Sequence, residues 1–203
     1  MFNNIKRVLI ISPHPDDGVL AMGGTITKLI EQNIEVKYLI FSWEGQEFNK
    51  EEIINAIKTL GVKEQNIIFL NYQVRNFNYY NNEIREELLK QKNEYKPDLV
   101  FTHNSFDYHQ DHKIVCEEAI RVFREGKILG YILPWNLRAF RFDMFFEITG
   151  QQLQKKLDAT KFLKSQQFRF YYEPERIKAT AITMGLFRRK ELAEGFEILS
   201  LNL

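Results

Sequence analysis

The chain has 203 residues, a formal charge of +1 and a hydrophobic fraction of 44%. That length suits one domain of roughly 100–200 residues with a real core, and the near-neutral charge gives no electrostatic case for a nucleic-acid partner. The single cysteine, Cys116, excludes an internal disulfide, and no apolar run approaches the roughly 18 residues of a membrane span.

In chain order, the apolar run 8–11 predicts a buried strand and residues 24–31 a helix, with Ile26, Leu29 and Ile30 on one stripe. Residues 36–41 are the next strand. Residues 50–60 are a helix with Ile53, Ile54, Ile57 and Leu60 on one face, stopped by Gly61. A short strand is expected over 66–70, a charged amphipathic helix over 82–95, and a fourth strand over 98–102 after Lys96-Pro97. A helix then covers 112–123 and places Cys116 on its face, where an inert buried thiol is expected. Strands are expected over 128–133 and 140–148, helices over 151–168 and most of 175–189, and a last strand over 196–201. The Asn- and Tyr-rich stretch 73–82 is expected to be a mobile loop. Strands alternating with helices imply an α/β fold, a Rossmann-like and mostly parallel sheet flanked by helices, in a single domain over 1–203. The first residues, Met1-Phe2-Asn3-Asn4, show no signal-peptide pattern, so a cytoplasmic location is expected.

The histidines carry the functional signal. There are four: His14 just after the first strand, and His103, His109 and His112 just after the fourth. The carboxyl ends of parallel strands share one edge, where ligands bind in open α/β sheets. His14 and Asp17, at the handover from strand to helix, can point an imidazole and a carboxylate at one place. His109 and His112 are also three apart, at a helix start, and share a face. Asp111 between them could hold an imidazole N–H. Two histidines and an aspartate with a fourth position open match catalytic zinc. Gly18, Gly23 and Gly24 would let the first helix pack closely on the sheet. The Gly-x-Gly-x-x-Gly of a dinucleotide site is absent, its place taken by His14-Pro15-Asp16-Asp17, which disfavours nucleotide binding.

Pro13-His14-Pro15-Asp16-Asp17 with Gly23-Gly24 behind it, and His109-Gln110-Asp111-His112, resemble the zinc-dependent deacetylases of the PIG-L / LmbE-like family. The softer segments Leu133-Pro134-Trp135-Asn136, Lys164-Ser165-Gln166 and Ala193-Glu194-Gly195-Phe196-Glu197 extend the likeness to members in bacterial surface-polysaccharide and nucleotide-sugar pathways. The resemblance implies that His14, Asp17 and His112 ligate Zn2+, that Asp16 is general base and then general acid, that protonated His109 stabilises the oxyanion, and that Asp111 orients a histidine. It implies removal of acetyl groups from N-acetylated amino sugars by a metal-activated water. Two departures stand out: Gly18 occupies a position where members commonly carry Glu, and the segment 42–47 is short.

Beyond the motif, Trp135, Asn136, Arg138 and Arg141 follow a predicted strand and are expected to shape the substrate pocket, an aromatic ring suiting a sugar face and arginine a phosphate or carboxylate. Tyr108 and Asn104 flank the histidine cluster as further contacts, and Asp107 is read as a partner of a ligand or a helix cap. The partner expected is a small-molecule N-acetylated sugar, with no nucleic acid and no membrane span, and the aromatic second half leaves room for a homo-oligomer interface. The rival readings are a non-haem Fe(II) oxygenase, which uses the same donor types, a non-catalytic sugar-binding or regulatory member of the fold, and a hydrolase of a different amide or ester.

Overall fold

A computed structural model describes residues 4–43 and 49–201, so most of the short segment 42–47 lies outside the described residues. Strands and helices alternate through β1 (Arg7–Ser12), α1 (Asp17–Glu31), β2 (Glu35–Ile40), α2 (Lys50–Thr59), β3 (Ile67–Phe69), α3 (Asn81–Glu94), β4 (Leu99–His103), α4 (Gln110–Phe123) and β5 (Lys127–Tyr131). The chain continues through β6 (Met144–Glu147), α5 (Gly150–Phe162), α6 (Pro174–Leu186) and β7 (Ala193–Leu201). One sheet runs in the order β3-β2-β1-β4-β5-β7-β6. The strands from β3 to β5 are parallel, and β7 runs antiparallel to both β5 and β6. The α/β, mostly parallel architecture expected from the sequence is the one observed.

Successive side chains of a strand point to opposite faces. Val8, Ile10, Val36, Tyr38 and Ile40 pack with Ile26, Leu29, Ile53, Ile57 and Leu157 on the face covered by α1, α2 and α5. Leu9, Ile11, Leu39, Phe41 and Val100 pack with Ile84, Leu88, Val115 and Ala119 on the face covered by α3 and α4. Burial on both faces is why these strands read as unbroken apolar runs. The strand order reverses between β1 and β4, so a crevice opens at their carboxyl ends.

Three elements differ from expectation. Helix α1 begins at Asp17 rather than near residue 24, and it kinks at Met22 (φ −139°, ψ 25°). Three glycines weaken the local helical signal, and tertiary partners restore what the kink frees. Gly24 N–H and Thr25 N–H donate to the two carboxylate oxygens of Glu194 (3.1 and 2.6 Å), and Lys156 Nζ donates to Ala21 O (3.2 Å) and Glu194 Oε1 (2.8 Å). A side chain at Gly23 would run into Lys156, and one at Gly24 into Ile148 and Glu194. The predicted strand 140–148 shrinks to Met144–Glu147, the residues that find partners on β7. The predicted helix 151–168 ends at Phe162, because Leu163 leaves the helical region (φ −80°, ψ 59°) and short 3-10 turns follow. No helix among the described residues is long and apolar enough to cross a membrane.

Candidate metal centre and active site

The turn after β1 builds the first half of the site. The Ser12 hydroxyl donates to His14 O (2.6 Å), and Gly18 N–H donates back to that hydroxyl (3.3 Å). His14 N–H donates to Asp17 Oδ2 (2.8 Å), which folds the carboxylate beside its own imidazole, 3.4 Å from Nδ1. The second half comes from the end of β4 and the start of α4. Asp107 Oδ1 accepts His109 N–H (2.8 Å), and His109 Nδ1 accepts Asp111 N–H (3.3 Å) as the cap of α4. His112 then stands one turn further on, its ring stacked on that of fully buried His103 (centroids 3.7 Å apart, 14° between planes).

The halves meet because β1 and β4 are neighbours. His14 Nδ1 lies 2.9 Å from His112 Nε2, and Asp17 Oδ2 lies 3.4 and 3.5 Å from these two nitrogens. The outer nitrogens are held by carboxylates: Asp111 Oδ2 is 3.1 Å from His14 Nε2, and Asp107 Oδ2 is 2.9 Å from His112 Nδ1. A carboxylate only accepts, so each outer nitrogen carries its hydrogen and each inner nitrogen presents a lone pair. Two lone pairs and a carboxylate oxygen at these separations require something positive between them. Without an ion, that must be a shared proton. Burial opposes charge on His14, but the Asp17 and Asp111 carboxylates outweigh it and push its pKa up to about 10. Burial and the neighbouring His103 push His112 down to about 3. The donor set, two neutral imidazoles and one carboxylate with carboxylates behind the imidazoles, fits a zinc-type cation in place of that proton.

The other titratable groups are arranged around this seat. His103, which sequence reasoning counted without giving it a task, lies with Nε2 3.1 Å from Asp17 Oδ2 and Nδ1 3.3 Å from Asp107 Oδ2. Burial works against ionised Asp107, yet His103 and His112 hold its carboxyl well below the usual range. Asp111 is lowered too: burial is overcome by His14 and by Arg75 N–H. Asp16 stands apart. Burial and the adjacent Asp17 charge raise its carboxyl to about 6, and Tyr172 Oη donates to Oδ2 at 2.7 Å. Burial and Asp16 push the Tyr172 phenol far above its ordinary value, so it keeps the proton it donates. Burial and His14 lower the basicity of His109. His109 Nδ1 accepts a backbone N–H, which leaves Nε2 as the nitrogen that can donate.

A cleft of about 240 Å³ opens over the seat, lined in part by His14, Asp16, Asp17, His109 and His112. Trp135 and Asn136 line it as expected, and the Trp135 ring stacks on Tyr171 (4.1 Å, 6°). Arg138 does not: it is exposed, outside the lining, with its backbone N–H on Phe106 O. Arg141 is likewise outside and pairs with Asp143. Tyr108 is exposed and Asn104 is buried in a turn, donating to Tyr131 O and accepting from Phe106 N–H, so neither lines the cleft. Asp107 stands behind His112, and the helix cap is not Asp107 but His109, whose backbone N–H Asp107 accepts. The segment 73–82 is tied down rather than free: Arg75 N–H and Phe77 N–H donate to Asp111, and Phe77 is fully buried. Cys116 is buried, and burial pushes its thiol up, as befits an inert residue. At Gly18, an added Cβ would meet Tyr38 Oη at 2.5 Å. The phenol therefore fills the space beside Gly18, and its oxygen lies 3.1 Å from Ser12 Oγ. Sequence reasoning missed Tyr172, Tyr171, Arg75 and Arg169, which sit in aromatic or polar stretches with no motif spacing.

The chain is similar to proteins of known family and structure. The family model described as "PIG-L: GlcNAc-PI de-N-acetylase" matches residues 9–123. A diacetylchitobiose deacetylase from Thermococcus kodakarensis is 31% identical over 195 residues, covering 81% of this chain and 72% of the relative. An uncharacterized deacetylase of Escherichia coli, YaiS, is 28% identical over 176 residues, covering 80% and 93%. The solved structure of N,N'-diacetylchitobiose deacetylase from Pyrococcus horikoshii superposes with a TM-score of 0.81 at 26% identity, over 97% of this chain and 85% of that one. The family match spans β1 through α4, the same stretch that carries both halves of the histidine–aspartate cluster, and the chain belongs to the PIG-L de-N-acetylase family.

Proposed function

We propose that the chain is a zinc-dependent N-deacetylase that hydrolyses the acetamido group of an N-acetylated amino sugar, with a small-molecule sugar or sugar conjugate as its partner and the cytoplasm as its location. The observation that carries the reading is the 2.9 Å approach of two imidazole nitrogens whose outer nitrogens are both tied to carboxylates, with a raised carboxyl, Asp16, beside them but not among them. His14, Asp17 and His112 would hold the ion. Bound there, it supplies a Lewis acid that polarises the acetyl carbonyl and lowers the pKa of water from about 15.7 toward about 7.

The protein's own groups do the rest. Asp16, ionised, accepts the proton of the attacking water. Tyr172 occupies Oδ2, so Oδ1 takes that proton. The His109 ring, held as the cap of α4, offers Nε2–H to the negative charge that develops on the carbonyl oxygen. Asp16 then passes its proton to the amide nitrogen as the C–N bond breaks, because an amine leaves only when protonated. Acetate and a free amino sugar result, with water consumed. Acid–base help of this kind is worth about 10²–10⁴-fold. Gly18, the departure from the family that favours a non-catalytic member, has the Tyr38 phenol filling its surroundings, which supports an intact turn around the site.

The test is acetate release from N-acetylglucosamine derivatives by protein of known zinc content, alongside Asp16→Asn. Zinc-dependent acetate release that falls about 10²–10⁴-fold in Asp16→Asn at unchanged zinc content supports the reading. Near-normal turnover by that variant removes Asp16 as the base. Release that depends on iron and dioxygen instead favours the oxygenase.

A further inference from the structure

The outer faces of α2, α3 and α4 carry no exposed large apolar side chain, whereas α6 carries a stripe of apolar surface. Ala179, Ile182, Thr183 and Leu186 are exposed and fall at i, i+3, i+4 and i+7, one side of a helix. Ile182 is 50% and Leu186 71% exposed. The opposite side of the same helix, with Ile177, Ala181 and Met184, is already buried in the protein. A single chain therefore covers one of the two apolar sides of α6. Phe187 (60% exposed) prolongs the stripe past the helix end. Its ring lies 5.8 Å from Phe142 and 5.7 Å from Phe145, and Phe142 lies 6.3 Å from Phe140, which is 72% exposed. Phe145 belongs to β6, the outer strand of the sheet, and such an edge is ordinarily covered or blunted. Contiguous exposed apolar surface of this kind marks a docking site.

The charges at the two ends of α6 say what docks. Its start carries Glu173 and Glu175, and its end runs into Arg188, Arg189 and Lys190. At the acidic end, Glu173 pairs with Arg176 (2.7 Å) and Glu175 with Lys178 (3.5 Å), exposed pairs that contribute little and exchange readily. At the basic end, Lys190 meets Glu147 (3.0 Å), and Arg188 lies over the Phe145 ring (5.9 Å). A surface with one acidic and one basic end complements itself when turned by half a rotation. An anionic lipid surface would instead press Glu173 and Glu175 against its own charge. A second copy of this chain, laid antiparallel, satisfies both ends at once.

We propose that two copies of this chain pack α6 against α6 about a two-fold axis near Ile182 and Thr183, the middle of the stripe. Glu173 and Glu175 of each copy then face the basic end, Arg188 to Lys190, of the other. Such a contact is isologous and closes on itself. Ala179 and Leu186 lie at equal distances along the stripe on either side of its middle, so the small side chain of each copy faces the large one of the other. A helix of 13 residues is about 20 Å long. The phenylalanines beside its end widen the contact toward the roughly 1,200–2,000 Å² of a specific dimer. The helix follows directly on the connection that carries Tyr171 and Tyr172, so the interface is next in the chain to the segment that holds Asp16. The proposal stands independently of the deacetylase reading.

Analytical ultracentrifugation of the full chain at micromolar concentration is expected to give twice the 24.2 kDa of one chain, or an even multiple of it. Ile182→Glu and Leu186→Glu each place a charge in the stripe and weaken association by at least about thirtyfold. Their far-ultraviolet circular dichroism stays that of the wild type, because both positions are exposed in one chain. Arg188→Glu with Arg189→Glu also weakens association without touching the stripe, and adding Glu173→Lys with Glu175→Lys restores it, since facing ends exchange their charges. Thr183→Cys treated with a short bismaleimide gives a cross-linked pair. Cys116 is buried and stays unreacted, and Lys113→Cys on the exposed side of α4 is the control that does not cross-link. The proposal is overturned if the full chain stays at 24.2 kDa. Co-sedimentation of such single chains with phosphatidylglycerol vesicles would assign the stripe to a lipid surface instead. It is overturned equally if association survives both Glu substitutions in the stripe, or if Thr183→Cys cross-links no more than Lys113→Cys.

Discussion

Tyr172 reaches across 156 residues of sequence to donate a 2.7 Å hydrogen bond to Asp16 Oδ2. The phenol is buried, cannot give up its proton, and favours the ionised carboxylate that burial and Asp17 both oppose. Tyr172→Phe removes that support without touching any of the three candidate ligands. We expect zinc content to stay at the wild-type level and kcat to fall by about tenfold, the scale of one charge-assisted bond. An equal loss of zinc would show that the tyrosine acts on the seat instead.

The same pair sets a pH dependence. The base must be ionised to act, and its pKa is raised to about 6, so activity is present above that value and is lost as pH falls through it. A bound cation favours the ionised form and moves the limb to lower pH. The acid limb of kcat/KM is therefore expected at or below about pH 6 in the zinc enzyme. In Tyr172→Phe it moves upward, because the lost hydrogen bond had favoured the charged form. A limb that stays in place would separate Tyr172 from the titrating group.

Asp107 and Asp111 hold the outer nitrogens of His112 and His14. Asp107→Asn and Asp111→Asn leave the ligands in the chain but release the tautomers, and each should weaken zinc binding by about 10–100-fold in competition with a chelator. His112→Ala should abolish stoichiometric binding. Zinc at 100 times its Kd should raise the stability of the wild type by about 2.7 kcal/mol and leave His112→Ala unmoved. Unchanged affinity in both Asn variants would mean that the imidazoles need no outer support.

The buried Lys156–Glu194 pair stitches the kink of α1 to α5 and β7. Removing one partner leaves an uncompensated charge in the core. Lys156→Met is expected to cost about 3–5 kcal/mol, read as a fall in the denaturant midpoint at unchanged slope. Glu194→Ala should cost at least as much, since it also frees Gly24 N–H and Thr25 N–H. A loss below about 1 kcal/mol in both would show that water reaches the kink.

Gly18 is the remaining test of local packing. Gly18→Ala places a methyl group against the Tyr38 phenol and should destabilise by about 1–3 kcal/mol. Adding Tyr38→Phe withdraws the oxygen at 2.5 Å and should recover part of that loss. No recovery would place the strain in the backbone of the turn.

What the amino-acid order decided by itself is the part of this protein written in short-range periodicity. Apolar runs such as 8–11 and 98–102, separated by helices, are enough for a parallel sheet, and a parallel sheet puts the ends of its strands on one edge. His14 with Asp17, and His109 with His112, lie within single turns, so their convergence is a local matter once that edge exists. Tertiary structure decided the partnerships that join distant elements. That Asp111 serves His14 and not a neighbouring histidine follows from β1 lying beside β4. Tyr172, Arg75, Arg169 and the Lys156–Glu194 pair come from connections or elements whose sequences carry no spacing signal. Arg138 lies outside the cleft lining for the same reason, since proximity to a motif along the chain does not say on which side of a turn a side chain emerges. Backbone geometry repeats every two or 3.6 residues and leaves its mark in sequence. A contact between side chains on separate elements depends on strand order and helix placement, which only the folded chain supplies.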